Sequence, residues 1–426
     1  MQAVISPGRL SGSVRVPPSK SMTQRALAAA LLHHGKTIIR NTGRSEDEKA
    51  ALDIIQKLGV RLTHTSEHTV EIISEGVYPS STEIHCNESG LAARLFIPIA
   101  ALSNKAISIN GKGSLLARPF GIYTEVLPRL NVTVQHHSEK LPFKIQGPLT
   151  PSDINLDGSL SSQFLSGLLF AFCYAAKERV TIEVNELASK PYIDLTLSML
   201  ERFGKKVHHD NYKYFTVDPA LFTPVQEVEI DIEGDWSSAT ALMVGAALSG
   251  EVNFEGLDPA SQQADKKILD ALKSCGASVA IENKIIKIGK GRLQGFDFDA
   301  TDCPDLFPSL AILAAFSEGA SRIKGIHRLL HKESNRIESI CDMLEAFAIF
   351  HAVEEDELYI EGQKTIESAT VFSYNDHRIV MAAAAGALRA YDNVRINHAE
   401  AVRKSYPDFF TDLQQLGAYC RLNYQE

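Results

Sequence analysis

Six times along this chain a polar loop gives way to a run so apolar that it reads as a buried helix, and the six starts are evenly spaced. SVRVPPSKSMTQR leads into ALAAALL, TEIHCNESG into LAARLFIPIAAL, and INLDGSLSSQ into FLSGLLFAFCYAA; EIDIEGDWSS leads into ATALMVGAAL, FDFDATDCPD into LFPSLAILAAF, and ATVFSYNDHR into IVMAAAAGAL. Counted from Ser21, Gly90, Ser161, Ser237, Leu306 and His377, the intervals are 69, 71, 76, 69 and 71 residues. Spacing this regular marks one supersecondary unit of roughly seventy residues used six times.

Each copy carries the same further signals. After the first apolar run, GKTIIRN reads as a strand, SEDEKAALDIIQKLG as an amphipathic helix stopped at Gly59, and RLTHT with TVEIIS as a paired ribbon. The later copies place the strand at Ala106–Ile109, Val180–Val184, Val252–Phe254, Arg322–Ile326 and Val394–Ile396. They place the second helix at Phe120–Leu130, Tyr192–Phe203, Lys266–Cys275, Ile337–Ala348 and Asp408–Leu416. One helix per copy is apolar all round and the other is two-faced, so the first is expected inside and the second outside.

A chain of 426 residues exceeds what one core serves, so six copies divide into three and three. The expected fold is α/β, with two domains: residues 15–228 hold copies one to three, and residues 1–14 plus 229–426 hold copies four to six. The segment before Val14 reads as a strand that joins the C-terminal half, which makes that domain discontinuous and gives two crossings of the chain, as a closing hinge needs.

The composition, 44% hydrophobic and 22% charged, is that of an ordinary globular protein with apolar surface enough for two cores. No stretch is long and apolar enough to span a bilayer. The start, MQAVISPGRLSGSV, lacks the basic and apolar regions of a secretory signal, so a cytoplasmic, membrane-free protein is expected. Cys86, Cys173, Cys275, Cys303, Cys341 and Cys420 are scattered without CxxC or ligand spacing and read as reduced small hydrophobes; neither disulfide, metal nor cofactor is expected. A net charge of −9 is a poor footing for nucleic acid. The expected partners are small molecules, and the expected state is a monomer.

In an acidic chain, cations gathered at particular loops carry information. Lys20, Ser21 and Arg25 stand where a polar loop meets a helix start, and a helix N-terminus with added positive charge is suited to phosphate or carboxylate. The corresponding loops of one domain are expected to point the same way, and a cleft between domains to collect them. Ser161, Ser162 and Gln163 offer neutral donors, or simply a cap; Ser237 and Ser238 read as caps. Arg94, Arg118, Arg336, Arg378 and Lys404 are either solvated charges or anion ligands. Asp305 and Glu333 are the acids suited to proton transfer, although Asp305 also stands where a helix cap would. His377 fits a ligand, a core histidine or a cap equally.

Read together, PPSKSMTQRAL, ARPFG, DGSLSSQFL, SKPYIDLTL, GDWSSA, CPDLFPSLAI, HKESNRI, YNDHRIVMAAA and KSYPDFF resemble the 5-enolpyruvylshikimate-3-phosphate synthases, in family order and over nearly the whole chain. The resemblance implies a two-domain inside-out α/β barrel built from six βαβαββ-type repeats. It also implies transfer of the carboxyvinyl group of phosphoenolpyruvate to the 5-hydroxyl of shikimate 3-phosphate, by addition and elimination. It places Lys20, Ser21, Arg25, Ser161, Ser162, Ser189, Tyr192, Asp305 and Lys332 on shikimate 3-phosphate. Lys20, Gly90, Arg118, Gln163, Arg336, His377, Arg378 and Lys404 fall on phosphoenolpyruvate. Asp305 becomes the proton acceptor at the attacking hydroxyl and Glu333 the donor to the methylene carbon, with Lys20 assisting. Two multiply charged anions repel, so bringing them together demands a ring of cations in a site that excludes water.

The chain departs from the family pattern in places. The loop usually written Asn-Ala-Gly-Thr-Ala-Met-Arg-Pro is Glu88-Ser89-Gly90-Leu91-Ala92-Ala93-Arg94-Leu95 here; Asn335 replaces an Asp, and Arg328 stands where an Asn is usual. A UDP-N-acetylglucosamine carboxyvinyltransferase normally has Lys-Asn at the first loop and a cysteine in the loop that here runs, without one, from Gly113 to Arg118. An RNA 3′-phosphate cyclase-like nucleic-acid binder conflicts with the net charge. A non-catalytic phosphometabolite-binding paralogue conflicts with the joint presence of Lys20, Asp305, Glu333, Arg336, His377 and Lys404.

Overall fold

The six apolar runs are helices, and almost every residue in them is buried. In the computed structural model, which describes residues 1–330 and 332–424, they span Lys20–Leu32, Gly90–Ala100, Ser162–Ala175, Trp236–Ser249, Phe307–Ala315 and His377–Ala387. Four start on a side-chain cap: Ser89, Ser161, Asp235 and Asp376 accept from the backbone N–H of Ala92, Gln163, Ser238 and Arg378. Ser237, expected to cap, lies inside its helix instead. Asp235 stands ahead of it in extended geometry and takes the Ser238 N–H at 2.9 Å.

Each repeat adds an outer helix with one buried face: Glu46–Lys57, Gly121–Arg129, Lys190–Arg202, Ile268–Ser274, Arg336–Ala346 and Phe409–Gln415. Glu46–Lys57 shows the local logic. Ser45 and Glu48 form a reciprocal capping box, acids fill the first turn, Lys57 the last, and Ala50, Ala51, Ile54 and Ile55 are buried.

The strands form six four-stranded sheets. In four of them the strand entering a buried helix runs parallel to the strand leaving it: Glu83–His85 with Ile107–Asn110, Ile154–Asp157 with Val180–Asn185, Asp297–Asp299 with Gly319–Lys324, and Thr370–Phe372 with Val394–Asn397. Two antiparallel strands complete each sheet. The strand expected at Arg322–Ile326 ends earlier, at Lys324, because Gly325 turns the chain with φ of 103°.

Copies one and four exchange their leading strands. Ser11–Arg15, which precedes the first buried helix, pairs in parallel with Glu251–Glu255 of copy four. Glu227–Asp231, which precedes the fourth, pairs in parallel with Gly35–Arg40 of copy one. The N-terminal strand Gln2–Ile5 lies between Val394–Asn397 and Cys420–Asn423 in the sheet of copy six.

Two compact units result. The continuous one is Pro18–Ile232, and the discontinuous one is Met1–Pro17 with the chain from Glu233 onward. The changeovers lie a few residues beyond those read from sequence, because Glu227–Asp231 is still a strand of the continuous unit. In that unit the helices Lys20–Leu32, Gly90–Ala100 and Ser162–Ala175 pack on one another. The last two approach so closely at Gly167 that a Cβ there would overlap the carbonyl oxygen of Arg94. In the discontinuous unit the three buried helices Trp236–Ser249, Phe307–Ala315 and His377–Ala387 pack likewise. Among the described residues no helix is long and apolar enough to cross a membrane.

Candidate active site

In the continuous unit, Pro17 and Pro18 end the extended segment and the helix begins at Lys20, on a Ser19 whose side chain makes no cap bond. Lys20 and Ser21 therefore sit in the first turn, where the helix dipole is positive. The ammonium of Lys20 lies 2.9 Å from Asp47 Oδ2, in the first turn of Glu46–Lys57. One turn further on, Arg25 is fully buried. Its Nε donates to Thr196 Oγ1 at 2.9 Å, Nη1 to the Ser21 carbonyl at 3.0 Å, and Nη2 to the Tyr192 carbonyl at 3.1 Å. All three acceptors are neutral, and burial lowers the Arg25 pKa to about 10, which still leaves it charged at neutral pH.

The same corner holds the other serines. Ser166 donates to the Ser162 carbonyl at 3.2 Å and lies 2.8 Å from Thr196 Oγ1, linking the third buried helix to the partner of Arg25. Ser189 adopts left-handed backbone, φ 55° and ψ 51°, at the start of Lys190–Arg202, and its carbonyl accepts from Tyr192 N. Ser161 is a cap, accepting from Gln163 N at 3.3 Å.

Gly90 opens the second buried helix between two guanidinium groups. A Cβ there would overlap Arg118 Nη1 and lie 2.9 Å from Arg94 Nη1, so no side chain fits without moving an arginine. Arg94 Nη1 also donates to Gln163 Oε1 at 2.9 Å. Gly90, Arg118 and Gln163, separated in sequence, thus share Arg94 as a neighbour or close approach.

In the discontinuous unit the centre is Arg336, with no solvent exposure. Its Nε donates to Asp376 Oδ2 at 2.7 Å, Nη1 to Asp305 Oδ1 at 2.6 Å, and Nη2 to Glu333 Oε2. Lys332 Nζ lies 3.4 Å from Asp305 Oδ1 and Arg378 Nη2 lies 3.2 Å from Asp305 Oδ2. Burial pushes the Asp305 carboxyl up, but Arg378, Lys332 and Arg336 outweigh it and hold the group well below the usual carboxylate range. Asp305 is therefore an ionised acceptor, not a helix cap; the short turn Pro304–Leu306 makes no side-chain cap bond. Burial lowers the Lys332 pKa despite Asp305. For Arg336, burial is overcome by Asp376, Glu333 and Asp305, and the pKa is raised.

Arg378 also donates to the Ser237 carbonyl at 3.2 Å, and Lys404 donates to the Asn375 carbonyl at 2.7 Å. His377 is 1% exposed, beside the capping Asp376 at 3.8 Å. Asp265, also buried, is raised to about 6 by burial first and by Asp305 next. His331 of the HKESNR run lies outside the described residues.

Solvated-charge readings do not hold for Arg94, Arg118, Arg336, Arg378 or Lys404, which are 4%, 6%, 0%, 7% and 6% exposed. Within each unit the structure gathers most of the residues singled out from sequence. Sequence reasoning missed Asp47, Thr196, Asp265 and Asp376. Only Asp376 had a local signal, because an Asp just ahead of an apolar helix is a cap candidate. Asn335 precedes Arg336–Ala346 as its N-cap without a side-chain cap bond. Among the described residues no group of three or more His, Cys, Asp and Glu side chains could hold a metal ion.

This fold is that of the enolpyruvyl transferases. It superposes on a solved EPSP synthase from Acinetobacter baumannii with a TM-score of 0.83, at 25% identity, covering 99% of this chain and 100% of the other. It also superposes on the enolpyruvyl transferase NikO from Streptomyces tendae with a TM-score of 0.78, at 17% identity, covering 99% and 98%. The family model of EPSP synthase (3-phosphoshikimate 1-carboxyvinyltransferase) matches residues 4–413. Curated proteins named 3-phosphoshikimate 1-carboxyvinyltransferase are similar over almost the full length. One from Clostridium perfringens (strain ATCC 13124) is 36% identical, covering 98% of each chain; one from Methanocorpusculum labreanum is 32% identical, covering 99% and 100%. The chain belongs to the EPSP synthase family.

Proposed function

We propose that the two clusters perform the family's reaction with the roles read from the sequence. The chain is a carboxyvinyltransferase of the shikimate pathway, which makes aromatic amino acids: it transfers the enolpyruvyl group of phosphoenolpyruvate to shikimate 3-phosphate and releases phosphate. Lys20, Ser21, Arg25, Ser161, Ser162, Ser189, Tyr192 and Lys332 bind shikimate 3-phosphate, and Lys20, Gly90, Arg118, Gln163, Arg336, His377, Arg378 and Lys404 bind phosphoenolpyruvate. Asp305 takes the proton of the 5-hydroxyl as its oxygen bonds to C2 of phosphoenolpyruvate, while Glu333, assisted by Lys20, delivers a proton to C3. In the second step C3 returns a proton to the Glu333 carboxylate, the C2–O bond to phosphate breaks, and the product's double bond forms.

The observation that carries this reading is the setting of Asp305, whose carboxylate lies 2.6 Å from Arg336, 3.2 Å from Arg378 and 3.4 Å from Lys332. A general base must be unprotonated at working pH, and these three cations hold the half-buried carboxyl ionised. Arg25 supports the substrate half, since a buried guanidinium whose three hydrogen bonds among the described residues go to neutral acceptors is suited to an anionic ligand. In this reading the protein works in the cytoplasm as a monomer and takes no nucleic acid; light scattering during gel filtration tests the monomer. The decisive assay is phosphate release from phosphoenolpyruvate with and without shikimate 3-phosphate. Strong stimulation is expected, and equal rates would falsify the assignment.

A further inference from the structure

Gln163 is assigned above to phosphoenolpyruvate, but a glutamine amide presents either a donor or an acceptor, and only one suits an anion. The choice is made by Arg94, a residue given no role in the reaction so far. A guanidinium has donors only, so the amide atom it meets at 2.9 Å must be Oε1. That leaves Nε2, with its two N–H groups, as the end of the amide directed elsewhere.

Arg94 is itself tightly held. Its guanidinium carbon lies 5.2 Å from the ring centre of Phe120 and 4.9 Å from that of Phe164. It is 4% exposed, and its carbonyl oxygen accepts the hydroxyl of buried Tyr123. The same Nη1 that meets Gln163 stands 2.9 Å from where a Gly90 Cβ would be. A planar guanidinium can face two rings and still donate in its plane; an ammonium has no such plane and keeps only part of this geometry.

We infer that Arg94 is a positioning residue, which fixes the side-chain amide of Gln163 as a hydrogen-bond donor toward the anionic groups of phosphoenolpyruvate. The inference rests on the assignment of Gln163 to that substrate. A donor to a charged oxygen, once lost, weakens binding roughly ten- to a hundredfold. Because Arg94 acts through Gln163, its removal adds little once the amide is gone.

The test is a double-mutant cycle in the full-length enzyme, read as KM for each substrate and kcat. Gln163→Met and Arg94→Met are each expected to raise KM for phosphoenolpyruvate by at least tenfold, to change KM for shikimate 3-phosphate by less than threefold, and to combine without multiplying. Gln163→Glu keeps an acceptor for Arg94 but offers the substrate no donor and adds a repelling charge, so its KM should rise at least as far as that of Gln163→Met while the parent melting temperature is kept. If Arg94→Met fails to fold, Arg94→Lys enters the cycle in its place. An unchanged KM in Gln163→Met overturns the assignment of Gln163, and the inference with it. A raised KM in Gln163→Met with an unchanged KM in the Arg94 variant, or effects that multiply, overturns the inference alone.

Discussion

Two arginines, Arg25 and Arg336, are among the largest fully buried side chains of this protein, and they are buried in opposite ways. Arg25 gives its hydrogen bonds to a hydroxyl and two carbonyls, and burial draws its pKa down to about 10. Arg336 gives its hydrogen bonds to three carboxylates, and they drive its pKa up. The first carries a desolvation cost that its neutral partners do not offset, and in the proposed reaction it binds shikimate 3-phosphate. The second, besides its proposed contact with phosphoenolpyruvate, holds Asp305 and Glu333, the base and the acid of the proposed reaction, on adjacent arms of one plane. Burial alone therefore does not tell these two arginines apart; the charge of their partners does.

The comparison can be broken in four places. The largest effect is expected at the base: Asp305→Asn should lower kcat by about 10²–10⁴-fold, and a fall of less than tenfold would remove Asp305 from proton transfer. Next is Arg336. Arg336→Met leaves three carboxylates without their shared cation and should cost about 3–5 kcal/mol of stability, measured by urea unfolding.

Third is Asp265, whose carboxyl titrates near 6 in the fold rather than at its usual 3.8 because of burial and of Asp305. Between those values the folded protein holds a proton that the unfolded chain has released, so this group's contribution to stability falls as pH rises through the window. Asp265→Asn should flatten that stretch of the stability profile and exceed the parent above it by at most about 3 kcal/mol. A profile that keeps its slope contradicts the shift.

The smallest effect on stability is expected at Arg25. Arg25→Met strands only neutral acceptors and should cost about 1–3 kcal/mol, while calorimetry finds shikimate 3-phosphate binding lost. A larger loss of stability in Arg25→Met than in Arg336→Met would reverse the distinction.

Much of this architecture was legible in the sequence because it repeats: a period seen six times fixes the buried helices, and polar starts such as Lys20 to Arg25 fix their ends. The motifs brought most site residues forward by type. What stayed hidden is pairwise. Nothing near Arg25 points to Thr196, nothing near Lys20 names Asp47, and Asp265 lies in a stretch that reads only as the start of an outer helix. Ser237 was misread because two serines outcompete one aspartate in a count of cap residues, whereas in the fold position decides and Asp235 comes first. The orientation of Gln163 belongs with these: an amide's direction is set by the partner it meets, and Arg94 lies in another repeat.

The exchange of leading strands bears on how the chain is made. As it leaves the ribosome, the continuous unit has all its strands once Asp231 has emerged, before any of the rest is needed. Gln2–Ile5, by contrast, must wait for Val394–Asn397 and Cys420–Asn423. A strand made early is thus among the last to find its neighbours, and a nascent chain stalled after Asp231 would carry a finished half with Gln2–Ile5 still unpaired ahead of it.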